Sequence, residues 1–460
     1  MPERYHIATE HASARFPKPG KFGIVDWRED CSRCRNCVKN ACISGIYTSE
    51  YAYDRDPGTP VEPFFDCRAC LSCVQNCTKG LLSLSINPAF LALGNQYWSK
   101  EMIQTTWAQA ETGKIPVSGS GYRGPFCGPG FDSMWTDMSE IVRPTRDGIH
   151  GREYISTYVD IGSKPLYLRF GPDGRLDGAP PIVEVPLPLI LDIPPWGPDV
   201  ENLAKARMQA ATRLQTFAVV SVRNARLATA ESLPYVAPLF TGDDFDESLL
   251  NQVRFVEIAD GPQAAEKCRR ALAVNPKLVV AVRALLGSDT PQRLVQLHRE
   301  GVRVVHICAD TWGQEINVLP GIEARHIRDA LRDLHGSLVA EGVRDEMTLI
   351  IGGGIALAEH MAKGIICGAD LVAVDAPLMV AIGCRVCDGD HDGSCPIAIK
   401  EVEVDYAAQR MVNLMGAWHL QLIEVLGAMG IREVRRLRGE TGRAMFLEDL
   451  DREAFGDIGY

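Results

Sequence analysis

The chain has 460 residues, 46% of them hydrophobic and 23% charged, the make-up of a globular protein long enough for two or three domains. Its 48 basic and 59 acidic residues leave a net charge of −11, which argues against a nucleic acid or an anionic membrane as the main partner. Small molecules and other proteins are the expected ligands. The opening MPERYHIATEHASARFPKPG has charges of both signs and no apolar core, so no signal peptide and a cytoplasmic protein are expected. The longest apolar run, PIVEVPLPLILDIPP, is interrupted by Glu184, Asp192 and prolines, and no membrane span is expected.

The chain has 15 cysteines, and in a reducing compartment such a number points to ligands rather than disulfides. Eight of them lie between 31 and 77, in CSRCRNCVKNAC and CRACLSCVQNC. Each CxxCxxC run sets three thiolates around one face of an iron–sulfur cube, and the fourth ligand comes from the other run. Cys31, Cys34, Cys37 and Cys77 are thus assigned to one 4Fe-4S cluster, and Cys67, Cys70, Cys73 and Cys42 to the second. Four residues rather than three precede Cys42, and no proline follows either fourth cysteine. A pair of zinc sites is the other chemistry that uses CxxC. Residues 1–95 are read as a ferredoxin-like domain with two clusters.

Residues 96–185 are rich in Gly, Pro and Arg with little periodicity, and are read as an irregular segment packed on the following domain. Arg143, Arg146, His150 and Arg152 in RPTRDGIHGRE are candidates to enclose a cofactor or to pin this segment down.

From 186 to 460, apolar runs of strand length alternate with helical patterns. The strands expected are 186–193, 216–222, 233–239, 253–259, 278–284, 302–309, 347–353 and 369–376, with helices in VENLAKARMQAATRL, PQAAEKCRRALA, TPQRLVQLHREG and ALAEHMAKGIICG. An open doubly wound sheet has the same local pattern, but eight strands favour an α/β fold of the (β/α)8, TIM-barrel type. Its site lies at the carboxyl ends of the strands, with phosphate groups beyond strands seven and eight. Strand seven ends in IIGGG, where Gly352, Gly353 and Gly354 let backbone N–H groups approach a phosphate. Asp375 and Ala376, at the end of strand eight, are counted with them as cofactor-binding positions. Arg223, Arg283, Asp310 and Gln314 stand at strand ends, and Arg283, Asp310 and Gln314 are the catalytic candidates. His298, His306 and His335 lie in helix or strand patterns and are assigned no role. No GxGxxG follows a strand, so no nicotinamide site of the Rossmann type is expected.

The GGG turn, a helix ending in Gly-Ala-Asp, a strand, and then AIGCRVCDGDHDGSCPIAI resemble the end of the FMN barrel of glutamate synthases. VRPTRDGIHGREYIS resembles the archaeal-type, ferredoxin-fused branch of that family. The resemblance implies FMN held by the barrel, Gly353 and Gly354 at its phosphate, and a further iron–sulfur cluster on Cys384, Cys387 and Cys395. With three ligands it is a 3Fe-4S cluster; His391 or Cys127 as a fourth ligand makes it 4Fe-4S, and zinc is the alternative. Where the family has Ser-Phe-Gly after its first strand and a Gly-rich run after its sixth, this chain has DIPPWGP and ADTWGQE.

The implied function is an iron–sulfur flavoprotein oxidoreductase passing electrons between ferredoxin-type clusters and FMN. Its glutamate synthase-like reaction is the reductive amination of 2-oxoglutarate through 2-iminoglutarate. The alternative is an electron-transfer subunit of a larger redox complex that forms no glutamate. Ferredoxin or redox partner subunits are expected, and, since the chain begins MPERY, a separate glutaminase subunit.

Overall fold

The computed structural model describes residues 5–26, 70–115, 128–136, 155–387 and 398–456, with short breaks at 17, 20, 166, 179, 197–199, 243–245 and 320, together with 32, 34 and 36. The chain divides into two compact units, one of 1–13, 105–384 and 391–460, the other of 14–104 and 385–390.

The larger unit is built on eight parallel strands: β1 Leu189–Leu191, β2 Ala218–Ser221, β3 Val236–Phe240, β4 Phe255–Ala259, β5 Val279–Leu285, β6 Val304–Cys308, β7 Thr348–Gly352 and β8 Leu371–Val374. They pair in chain order, and β8 returns to β1 through Val372↔Leu189 to Val374↔Leu191, closing the barrel. All eight expected strands are present, and the closure decides against the open sheet. Every residue of β6, β7 and β8 is buried. A strand covered on both faces reads as an unbroken apolar run, and this is why these segments could be placed without alternation.

The helices are α1 Lys100–Thr112, α2 Glu201–Leu214, α3 Ala264–Val274, α4 Thr290–Arg299, α5 Ile327–Ala340, α6 Ala358–Ile366, α7 Ala376–Ala381 and α8 Val404–Ala428. The amphipathic α4 begins with proline in its first turn and buries Thr290, Leu294 and Leu297, the three-to-four spacing of one helical face. The long α8 packs against α2 and α6. Its Arg410 donates to the carbonyls of Ala381, Ala12 (2.6 Å) and Trp107 (3.2 Å), so one buried cation ties three chain segments of the barrel unit to it.

The segment read as irregular between 96 and 185 contains α1, thirteen residues long, and a strand pair, Val159–Gly162 with Ile182–Val185. Its helical period was hidden because α1 buries Gln104, Thr106 and Gln109 beside Met102, Ile103, Trp107 and Ala110.

In the smaller unit Phe22–Asp26 pairs antiparallel with Leu82–Ile86, Phe22 opposite Ile86 and Asp26 opposite Leu82. The two strands hold together the ends of the cysteine-rich stretch. A short helix, Ser72–Gln75, begins after Leu71, which stands at φ 62°. Among the described residues no helix is long and apolar enough to cross a membrane.

Candidate active site

Five polar side chains gather on the strands of the barrel or, for Asp192, directly after one. Arg283, fifth of the seven residues of β5, sends Nη1 to Asp192 Oδ1 and Nη2 to Asp192 Oδ2, both at 2.7 Å. The same Nη1 donates to Glu257 Oε2 at 3.0 Å, from the middle of β4. His306, in register with Arg283 across β5 and β6, places Nδ1 2.8 Å from Glu257 Oε1. Cys308 ends β6 and is buried. Glu257 and His306 have no exposed surface.

A bidentate guanidinium–carboxylate pair is among the stronger hydrogen-bonded contacts, and ions this deep need partners on nearly every polar atom. Burial opposes ionisation of Asp192, yet the Arg283 guanidinium, helped by His306, holds its carboxyl down at about 2. Burial likewise opposes the His306 cation, but Cys308 and Glu257 outweigh it and push the imidazole well above the usual histidine range.

The β7–α6 turn lies beside this group. A Cβ on Gly352 would stand 2.9 Å from His306 Nε2. Gly353 and Gly354 are at φ 89° and 68°, and a Cβ on Gly353 would meet the Ala309 and Asp310 carbonyls at 2.5 and 2.6 Å. Gly353→Ala is therefore expected to cost about 1–3 kcal/mol in backbone strain alone, read as a lower urea midpoint with an unchanged slope. Leu357 precedes α6 without a side-chain cap, while Glu359 stands in the first turn and His360 Nδ1 accepts from the Ala356 amide at 3.2 Å. After β8, Asp375 Oδ1 accepts from the Ala376 amide at 2.6 Å. Burial first, and then the charge of Asp192, raise the Asp375 carboxyl to about 7.

The loop behind the turn is held from outside the barrel. The ring of His326 fills the space a Cβ would take on Gly313 and on Gly130. His360 Nε2 lies 3.0 Å from Asp132 Oδ1, and Lys363 Nζ donates to the Phe131 carbonyl at 2.7 Å. Thus α6, which begins at the glycine turn, also anchors residues 130–133.

Arg283 is central, but three carboxylate oxygens already engage it. Asp310 is exposed and accepts from the Trp312 and Gln314 amides at 2.8 and 2.7 Å, so it shapes its own loop. Gln314 returns the contact through its carbonyl, 3.0 Å from the Asp310 amide. No hydrogen bond links these two to the Arg283 group among the described residues. Arg223 is exposed on a short helix, Val222–Ala225, after β2.

Among the described cysteines of these motifs, Cys34, Cys70 and Cys387 are exposed, and Cys73, Cys77 and Cys384 are half-buried. The Asn36 amide draws the Cys34 thiol below its ordinary value. Cys31, Cys37, Cys42, Cys67, Cys395, Cys127 and His391 lie outside the described residues, as do Arg143, Arg146, His150 and Arg152.

Asp192, Glu257, His306 and Cys308 were not among the sequence candidates. Their signal was present: VRFVEIA carries Glu257, and VRVVHICA carries His306 and Cys308, inside otherwise apolar runs.

Residues 326–432 match the family model described as the conserved region in glutamate synthase. An archaeal-type glutamate synthase [NADPH] from Dehalococcoides mccartyi is 24% identical over 92% of this chain and 94% of its own length. The archaeal glutamate synthase [NADPH] of Archaeoglobus fulgidus is 25% identical over 94% of this chain and 96% of its own. That of Methanocaldococcus jannaschii is 36% identical over 25% of this chain and 24% of its own. Residues 326–432 thus carry the region conserved in glutamate synthases, and the chain is similar to archaeal-type glutamate synthases over most of its length. It is an oxidoreductase. The family match runs from just before α5 through the glycine turn, β8, Cys384 and Cys387 to just past the end of α8. Asp192, Glu257, Arg283, His306 and Cys308 lie before it, so the family model itself gives them no role.

Proposed function

We propose that the protein is an iron–sulfur flavoprotein that reductively aminates 2-oxoglutarate, its FMN standing over the carboxyl ends of the barrel strands. The observation that carries this is the position of the family match: it covers the Gly352–Gly354 turn and the uncapped start of α6, which together suit a phosphate. When bound, FMN collects electrons singly from iron–sulfur centres and delivers them as a hydride equivalent.

The chain's own residues supply the rest. The turn and the α6 amides hold the phosphate, and Asp375 tolerates it while its carboxyl is neutral. Ammonia and 2-oxoglutarate form 2-iminoglutarate with loss of water; a hydride and a proton then give glutamate. Arg283 is the barrel cation for a substrate carboxylate, provided that the carboxylate takes over a contact now made by Glu257 or Asp192. Cys34, Cys70, Cys73 and Cys77 are read as ligands of the two 4Fe-4S clusters together with Cys31, Cys37, Cys42 and Cys67, and Cys384, Cys387 and Cys395 as ligands of the third cluster. The relatives' names include NADPH, but no GxGxxG in this chain follows an expected strand, so electrons are assigned to a ferredoxin or a partner subunit.

The second reading, an electron-transfer subunit, is favoured by the engagement of Arg283 and by the closed Asp310–Gln314 loop. Protein purified without oxygen and reduced with dithionite separates the two. Reoxidation dependent on both 2-oxoglutarate and ammonia, with glutamate formed in proportion, is expected. FMN present without that dependence selects the electron-transfer subunit, and absence of FMN removes both.

A further inference from the structure

One corner of the barrel, between β1, β6 and β7, holds three metal-ligating side chains that the redox reading leaves unused. Asp192, His306 and Cys308 each offer one ligand atom, all within 4.8 Å of one another, and all three are buried. His306 Nε2 stands 3.8 Å from Asp192 Oδ2. This nitrogen is shut off from solvent and makes no hydrogen bond, which is uncommon for a buried polar atom. The other ring nitrogen, Nδ1, lies 2.8 Å from Glu257 Oε1, which orients the ring and directs Nε2 toward the other two donors. A carboxylate behind a histidine in this way is the usual backing of a metal-bound imidazole. Gly352 keeps the corner clear, since a Cβ there would come within 2.9 Å of Nε2.

We propose that Asp192, His306 and Cys308 bind one divalent cation of the zinc class, with its fourth position open. One nitrogen, one sulfur and one oxygen donor suit zinc better than calcium or magnesium, which prefer oxygen alone. Bonds of about 2.0–2.3 Å in a tetrahedron set ligand atoms about 3.3–3.8 Å apart, so even the widest pair has to close by only about 1 Å. Arg283 does not prevent this. The oxygen of Asp192 that accepts from Nη2 has a second lone pair, and Glu257 offsets the guanidinium charge. Three protein ligands and one open place is the arrangement of a catalytic rather than a structural zinc, and there it polarises a carbonyl oxygen. The proposal rests on the barrel and not on the flavin or the clusters.

Cobalt reports on the site. Protein carrying its clusters, washed with a chelator and titrated anaerobically with Co2+, is expected to gain a thiolate-to-cobalt charge-transfer band in the difference spectrum, saturating at about one ion per chain. Zinc abolishes the band, Cys308→Ser lacks it, and the cluster EPR signals are the same in both proteins. No band in the wild type, or an equal band in Cys308→Ser, overturns the proposal. Peptide mapping of the wild type keeps the test open should the variant not fold: zinc is expected to slow alkylation of Cys308 at least tenfold, and unchanged alkylation overturns the proposal equally.

Discussion

Arg283→Met is expected to destabilise the protein by about 3–5 kcal/mol and to abolish turnover, the largest loss from any single substitution in the barrel. The guanidinium is the shared partner of two carboxylates: Asp192 receives two bonds at 2.7 Å and Glu257 one at 3.0 Å. Methionine fills much of the same volume, so the loss reports the stranded charge rather than a cavity. Asp192 and Glu257 are then left with His306 as the nearest cation. Arg283→Lys is expected to recover only part of the loss, because an ammonium cannot span both Asp192 oxygens and reach Glu257 as a planar fork does.

The double variant Asp192→Asn, Arg283→Met is expected to be more stable than Arg283→Met alone, since one of the two stranded charges is gone. The pH dependence has a definite direction. The Asp192 carboxyl is lowered in the fold from 3.8 to about 2, so its stabilising contribution is complete above pH 3.8 and is lost as the pH falls toward 2. Arg283→Met removes that acid-side loss along with the contribution itself. Urea unfolding of anaerobic protein, followed by tryptophan fluorescence, measures these differences. A loss below about 1 kcal/mol in Arg283→Met means that the pair is worth no more than a surface salt bridge, and that Arg283 is available to a substrate at little cost.

The barrel was legible because its strands are apolar over most of their length and its helices have an apolar face. The α1 helix was not, and for a specific reason. Gln104 is buried and donates to the Pro19 carbonyl at 2.7 Å, so a residue that scores as polar is an inside residue. The same effect hid the centre of the site. His306 was passed over as one more histidine in a strand, yet its neighbours in Val304–Cys308 are all buried, and a titratable group there needs a partner. That partner, Glu257, is 49 positions away in the chain, on a strand two places round the barrel. Closure of the barrel brings the two together, and no local pattern records it. The glycine turn was legible for the opposite reason, since three consecutive glycines at a strand end mark a conformation that other residues resist. Loop carboxylates such as Asp310 looked equally functional in sequence, but this one is committed to two amides of its own loop.

Asp375→Asn is expected to stabilise the protein increasingly from acid to neutral pH. Burial and the neighbouring Asp192 raise the Asp375 carboxyl from 3.8 to about 7 in the fold. Below pH 3.8 the folded and unfolded chains both keep the proton, and the shift has no effect on stability. Between 3.8 and 7 the unfolded chain releases the proton while the fold retains it, so stability falls by about 1.4 kcal/mol per pH unit. Above 7 both are ionised and the full cost, about 4 kcal/mol, is in place. Asparagine cannot ionise, and its side-chain oxygen can still accept from the Ala376 amide, so the substitution removes this cost and keeps the cap. The advantage of the variant is thus expected to rise through the acid range and level off near pH 7. FMN retention should follow the same profile, because a phosphate beside an ionised Asp375 meets a like charge and beside a neutral one does not. Wild-type protein is then expected to lose FMN as the pH rises through 7, while Asp375→Asn holds it. Equal retention by both proteins at pH 8, with the stability difference intact, places the phosphate away from β8, on the Gly352–Gly354 turn alone.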